Sequence, residues 1–124
     1  MANKRKFSWN QGLIKSKDKI FYWIYILYCD NDTYYTGYTT DLRRRYREHL
    51  LGSRKCKYTR SFKPLHIAQY WQTTEKTNAM KIEKYIKQLP REKKLELISQ
   101  PSILRQIFPC DVVSKRIDDD LTKC

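Results

Sequence analysis

From Ile20 to Cys29 the chain is almost continuously apolar and aromatic, and it holds no longer run of that kind. Ten residues are about half of what a membrane-crossing helix requires, and their β-branched and aromatic character predicts a buried strand over Trp23–Cys29. Asp30-Asn31-Asp32-Thr33 is turn chemistry, because Asn and Asp tolerate tight backbone and bond to their own peptide groups. A second aromatic strand follows over Tyr34–Tyr38, so the pair predicts an antiparallel hairpin. The period then changes. Thr40 is the expected N-cap and Asp41 suits a first turn. Gly52 is a natural stop, which gives a helix over Asp41–Leu51 with Leu42, Tyr46, His49 and Leu50 inward and Arg45 at the edge of that face.

Ser53–Pro64 shows no clean period and reads as an exposed basic loop. A third strand is expected over His66–Gln72. A helix after Thr74 runs to about Gln88, with Ala79, Met80, Ile82 and Ile86 as its apolar positions. Pro90 suits the first position of a helix over Arg91–Ile98, and Pro101 opens a short one through Phe108. Beyond Pro109 the pattern decays. The order ββαβα, then short helices, predicts one small α+β domain: a three-stranded antiparallel sheet flanked by helices. Its expected extent is 21–99, between a basic N-terminal arm over 1–20 and a C-terminal extension over 100–124.

Composition adds a partner. The chain has 124 residues, 26 basic against 13 acidic, for a net charge of +13. Such a charge attracts polyanions, with nucleic acid as the first expectation and an anionic membrane surface or ribosomal docking as lesser alternatives. Ten tyrosines and three tryptophans strengthen the first, since aromatic faces stack on bases, although several must fill the sheet. Met1 to Lys19 lacks the apolar block of a secretory signal, so the cytoplasm is the expected compartment. Cys29, Cys56, Cys110 and Cys124 are scattered without a zinc spacing and read as free thiols.

Charge is densest between Arg43 and Lys63, where nine basic residues face one acid, Glu48. Arg43, Arg44, Arg47, Arg54, Lys55, Lys57, Arg60 and Lys63 are therefore the expected nucleic-acid contacts. Arg45 and His49, four apart, project from neighbouring turns of one helix side. Glu83 falls among the apolar positions of its helix, where a carboxylate is costly unless paired or metal-bound. Each residue has a plain alternative: Asp41–Arg45 and Glu83–Lys87 are ordinary i,i+4 ion pairs, and His49 suits a packed, hydrogen-bonded core position.

Taken together, these residues resemble the GIY-YIG nuclease family. Trp23-Ile24-Tyr25 stands where the family has Gly-Ile-Tyr, and Tyr35-Thr36-Gly37 where it has Tyr-Ile-Gly. Arg45 follows Gly37 by eight residues, His49 by four more, and Glu83 matches the glutamate of the later helix. Lys57-Tyr58-Thr59-Arg60 is similar to the stand-alone branch, which includes small UPF0213 proteins and the catalytic subunits of Slx1-type structure-specific endonucleases. The resemblance spans about Phe21–Ile98. Trp23 departs from the first glycine, and an asparagine used late in some members has no clear counterpart.

The resemblance implies a metal-dependent endonuclease on DNA, RNA being a further candidate, with a role in repair or recombination of structured DNA. It implies Tyr25, Tyr35, Arg45, His49 and Tyr58 as catalytic residues and Glu83 as ligand to Mg²⁺ or Mn²⁺. It leaves open which of Tyr25 and Tyr35 activates water. A partner protein supplying substrate recognition is a second expectation, and a catalytically silent nucleic-acid-binding module is the alternative from another class.

Overall fold

The computed structural model describes residues 20–52, 56–108 and the backbone of 113–115. Residues 1–19 of the expected arm over 1–20, together with Arg54, Lys55, Cys110 and Cys124, lie outside the described residues. Strand β1 (Tyr22–Cys29) pairs antiparallel on both sides, with β2 (Tyr34–Thr39) and with β3 (Pro64–Thr73). These three strands form the expected sheet. A three-residue strand, β4 (Val113–Lys115), adds to the free edge of β3, giving the order β2-β1-β3-β4. It lies where the sequence pattern has already decayed.

Central β1 reads as a continuous apolar run because helices and loops cover both of its faces, so alternate side chains enter two different cores. Ile24 and Ile26 point one way, onto Trp71 and the buried positions Ala79, Ile82 and Ile86 of helix α3 (Lys76–Lys87). Leu97 of α4 (Arg91–Ser99) and Leu104 of α5 (Ile103–Ile107) complete that side. Two hydrogen bonds fasten it: Gln69 Nε2 donates to the Ile98 carbonyl at 3.1 Å, and Trp71 Nε1 to the Pro101 carbonyl at 3.0 Å. Tyr25, Leu27 and Cys29 point the other way, onto Ile67, Tyr70 and Leu42 of α1 (Leu42–Leu51).

The structure corrects several local expectations. Asp41, rather than Thr40, caps α1: its Oδ1 accepts from the Arg44 N–H at 3.0 Å. The Asp41 carboxylate is thereby engaged, and Arg45 pairs with Glu48 instead. Gly52 does end the helix, at φ 69°, the left-handed region that a side chain disfavours. Leu50 is exposed, because the inward stripe through Leu42, Tyr46 and His49 leaves it one 100° step round the helix. Met80 is exposed for the same reason, one step beyond buried Ala79. The expected basic loop holds a short helix, α2 (Lys57–Ser61), with Thr59 buried.

Register places Tyr25 directly opposite Gly37. A Cβ at position 37 would lie 2.6 Å from Tyr25 Oη and 2.8 Å from its Cζ, so the tyrosine ring crosses the strand where side-chain volume is missing. Gly37→Ala should displace that ring and destabilise the fold by about 1–3 kcal/mol, read from urea unfolding. Its neighbour Thr36 faces Ile26 across the pair, and its buried hydroxyl has no hydrogen-bond partner among the described residues. Thr36→Val keeps the shape and removes that desolvated group, so it should raise unfolding free energy by about 1 kcal/mol.

Candidate active site

Five of the expected residues meet on the α1 side of the sheet. Tyr25 comes from the middle of β1, Tyr35 from β2, Arg45 and His49 from consecutive turns of α1, and Tyr58 from α2. Tyr25 Oη lies 2.9 Å from His49 Nε2. The Arg45 guanidinium also hydrogen-bonds that hydroxyl, while its Nη1 donates to Glu48 Oε1 at 2.9 Å. The Tyr35 ring lies 5.2 Å from the imidazole, edge to face, and stacks on Tyr58 at 5.5 Å with 20° between planes.

The proton arrangement follows from the far side of the histidine. His49 Nδ1 lies 2.8 Å from Thr59 Oγ1, and that hydroxyl donates to the Cys56 carbonyl at 3.2 Å. With its proton so committed, Thr59 accepts, and Nδ1 carries the imidazole hydrogen. Nε2 is then the bare acceptor, and Tyr25 donates to it. The hydrogen bonds thus run in one direction, from Tyr25 through His49 and Thr59 to Cys56. Thr59 is a residue that motif reasoning misses. The available signal was its place beside Tyr58 and three residues after Cys56, which suits a hydroxyl bonding back to the carbonyl.

Burial controls the charges. It pushes the Tyr25 hydroxyl well above the usual tyrosine range, against the lowering effect of the Arg45 hydrogen bond. It pushes His49 down to about 4, with the nearby Arg45 charge acting in the same sense. Burial also opposes the Arg45 charge, but hydrogen bonds to Glu48 and Tyr25 outweigh it and hold the guanidinium protonated. At neutral pH the cluster therefore contains a neutral tyrosine, a neutral imidazole that accepts its hydrogen bond, and one fixed cation.

Glu83 has a different setting. It lies on α3, whose buried residues belong to the core on the opposite face, although α3 leans across β2 and β1. Its carboxylate pairs with Lys87 Nζ at 3.4 Å and is 22 % exposed. It is half-buried rather than fully inward, and the i,i+4 pair is present. Among the described residues no group of three or more His, Cys, Asp or Glu side chains forms a metal cage. Of the expected nucleic-acid contacts, Arg43, Arg44, Arg47, Lys57, Arg60 and Lys63 are exposed on or beside α1 and α2. No helix among the described residues is long and apolar enough to cross a membrane.

Keeping His49 neutral makes stability depend on pH. Below its ordinary value of 6.5 the unfolded imidazole takes up a proton that the folded one refuses until about 4. Stability should fall as pH is lowered through that window and the His49 contribution should level off beneath it. Urea unfolding of wild type against His49→Gln isolates the effect from the carboxylates that both share. The gap between the two proteins should shift against the wild type across the window.

A family model described as the GIY-YIG catalytic domain matches residues 21–96. The UPF0213 protein of Halalkalibacterium halodurans is 41% identical over 78 residues, covering 63% of this chain and 82% of that protein. That of Haloquadratum walsbyi is 36% identical over 86 residues, covering 69% and 96%. Among solved structures, the solution NMR structure of a UPF0213 protein from Bacillus halodurans is 40% identical, with a TM-score of 0.44 over 64% of this chain and 84% of that one. With well over half of its length matched, and with the two half-motifs paired on adjacent strands, the chain belongs to the GIY-YIG family, in its stand-alone UPF0213 branch.

Proposed function

We propose that this protein is a metal-dependent endonuclease that hydrolyses phosphodiester bonds in DNA, acting on structured intermediates of repair or recombination. The observation that carries the reading is the position of the Tyr25 hydroxyl between the Arg45 guanidinium and bare Nε2 of His49. A buried tyrosine is a poor base alone, since its phenolate is disfavoured. With an acceptor in line it need never become a free phenolate. As a water proton moves to Tyr25 Oη, the tyrosine proton moves to His49 Nε2, and Thr59 holds the imidazole in the tautomer that receives it. Tyr25 rather than Tyr35 takes this part, because it has both the acceptor and the cation.

Arg45 presents a permanent charge and forked donors to the phosphate as negative charge builds on it. Tyr35, in contact with Tyr25, His49 and Tyr58, packs these groups together. Glu83 fits the role of carboxylate ligand to Mg²⁺ or Mn²⁺, because a hard cation takes one or two carboxylates and completes its shell with water and substrate phosphate. Such an ion, when bound, polarises the phosphate and stabilises the leaving oxygen. The exposed basic residues of α1 and α2 hold the backbone, so binding should weaken steeply with salt.

The Glu83–Lys87 ion pair is the observation that favours a second reading, a nucleic-acid-binding module without catalysis. The test is cleavage of linear, branched and damaged DNA, with matched RNA, in Mg²⁺ or Mn²⁺, with and without cell extract to supply a partner. Wild type should nick a structured DNA. Tyr25→Phe should lower the rate on the order of 10²–10⁴-fold, and Glu83→Ala should abolish cleavage while leaving salt-sensitive binding intact. Normal cleavage by folded Glu83→Ala would remove the metal ligand from the scheme. Binding without cleavage of any substrate by wild type would establish the second reading.

A further inference from the structure

We infer that Tyr58 and Phe62 form a shelf on which one unpaired base of the substrate stacks, beside the phosphate held at Arg45. The inference rests on the phosphodiester reading for its placement, but on separate residues for its argument. Tyr58 and Phe62 have ring centroids 5.2 Å apart and remain 36 % and 37 % exposed. Two aromatics that served only to fill a core would close over each other. Here Tyr58 stacks on Tyr35, and Phe62 lies tilted against Tyr58 at 49°, so the aromatic row that begins at Tyr35 ends in two partly exposed rings.

The shelf is held rigidly. The Tyr58 hydroxyl is hydrogen-bonded to Thr33 Oγ1 and lies 3.5 Å from Asn31 Nδ2, both in the β1–β2 turn. That turn is itself anchored by Arg91, which donates to the Asp32 carbonyl at 2.6 Å and to Asp32 Oδ1 at 3.0 Å. One face of the Tyr58 ring lies against Tyr35, and its edge is fixed by the turn. Tyr58 thus stays 36 % exposed while its hydroxyl is occupied in positioning it. A rigid aromatic loses little entropy when a second ring stacks on it.

The surroundings select a polyanion. Lys57 and Lys63 are the exposed sequence neighbours of Tyr58 and Phe62, Arg60 is exposed between them on α2, and no acidic residue occurs between Glu48 and Glu75. Aromatic faces interleaved with cations suit bases whose own faces are free. A base inside a duplex has both faces covered by its neighbours. The ligand class is therefore nucleic acid with an unpaired base at a flap, gap, bulge or end, and base identity matters little because every base has a π-face.

The experiment compares three oligonucleotide duplexes, one carrying a single bulged base, one an abasic residue at that position, and one fully paired, by equilibrium binding in EDTA at fixed salt. Wild type should bind the bulged base on the order of tenfold tighter than the abasic duplex. Phe62→Ala should lose that difference, and Phe62→Trp should restore it, with the salt dependence of all three proteins unchanged because the phosphate contacts are intact. Equal binding of bulged and abasic duplexes by wild type, or full retention of the difference in Phe62→Ala, overturns the shelf. Loss of the preference while wild type still cleaves leaves the nuclease standing without the shelf, whereas a Phe62-dependent preference in a protein that cuts nothing leaves the shelf without the nuclease.

Discussion

The structure depends on one side chain that crosses from the middle of the sheet. Tyr25 lies in the central strand, paired on both sides, and its ring passes over Gly37 to bring its hydroxyl to His49 and Arg45. Each neighbour is constrained as a result. Position 37 has no room for a Cβ. The α1 helix must place His49 one turn beyond Arg45, and α2 must bring Thr59 to the far nitrogen. The hydroxyl of a tyrosine that is only 1 % exposed would be costly without partners, and here it has both a donor and an acceptor.

The two faces of the sheet divide the work. The face covered by α3, α4 and α5 is built from Ile24, Ile26, Trp71, Ile82 and similar side chains, and it supplies most of the apolar burial. The face covered by α1 and α2 holds the polar chain of hydrogen bonds within a smaller apolar surround. Concentrating apolar packing on one side allows the other to carry buried polar groups without loss of the fold. Glu83 rides on α3, the element of the apolar face that leans across β2, the strand of Tyr35 and Gly37.

Much of the framework was legible because periodicity reports burial directly. The hairpin follows from two aromatic runs about a short Asp-Asn turn, α1 and α3 from 3.6-period apolar positions, and α4 from Pro90 at its start. What the pattern could not resolve were choices decided by a single hydrogen bond or one 100° step. Thr40 and Asp41 are both good caps, and the bond to Arg44 decides for Asp41. Leu50 and Met80 are apolar yet exposed, because burial belongs to a stripe and not to a residue type. The segment after Gly52 looked like loop because its charges hide a helix of only five residues. Within the site, Arg45 and His49 stood out by their spacing, and Tyr25 by the family resemblance. Thr59 did not, since its role exists only once α2 folds against α1.

The proton path has a direction that neither residue supplies alone. Burial disfavours charge on both Tyr25 and His49, so at rest the proton stays on the phenol and the imidazole stays neutral. Outright transfer between them would create two charges in a desolvated site, which is the state burial opposes most. Transfer becomes favourable only when the phenol gains a proton from water as it loses one. The phenol then stays neutral, the positive charge goes to the imidazole, and the negative charge goes with the hydroxide onto the phosphate. The imidazole charge forms beside Arg45, which opposes it, and near Glu48, which favours it. The approach of an anionic phosphate to Arg45 would offset the opposition. In the proposed hydrolysis, substrate charge, and not a preformed phenolate, would ready the site for chemistry.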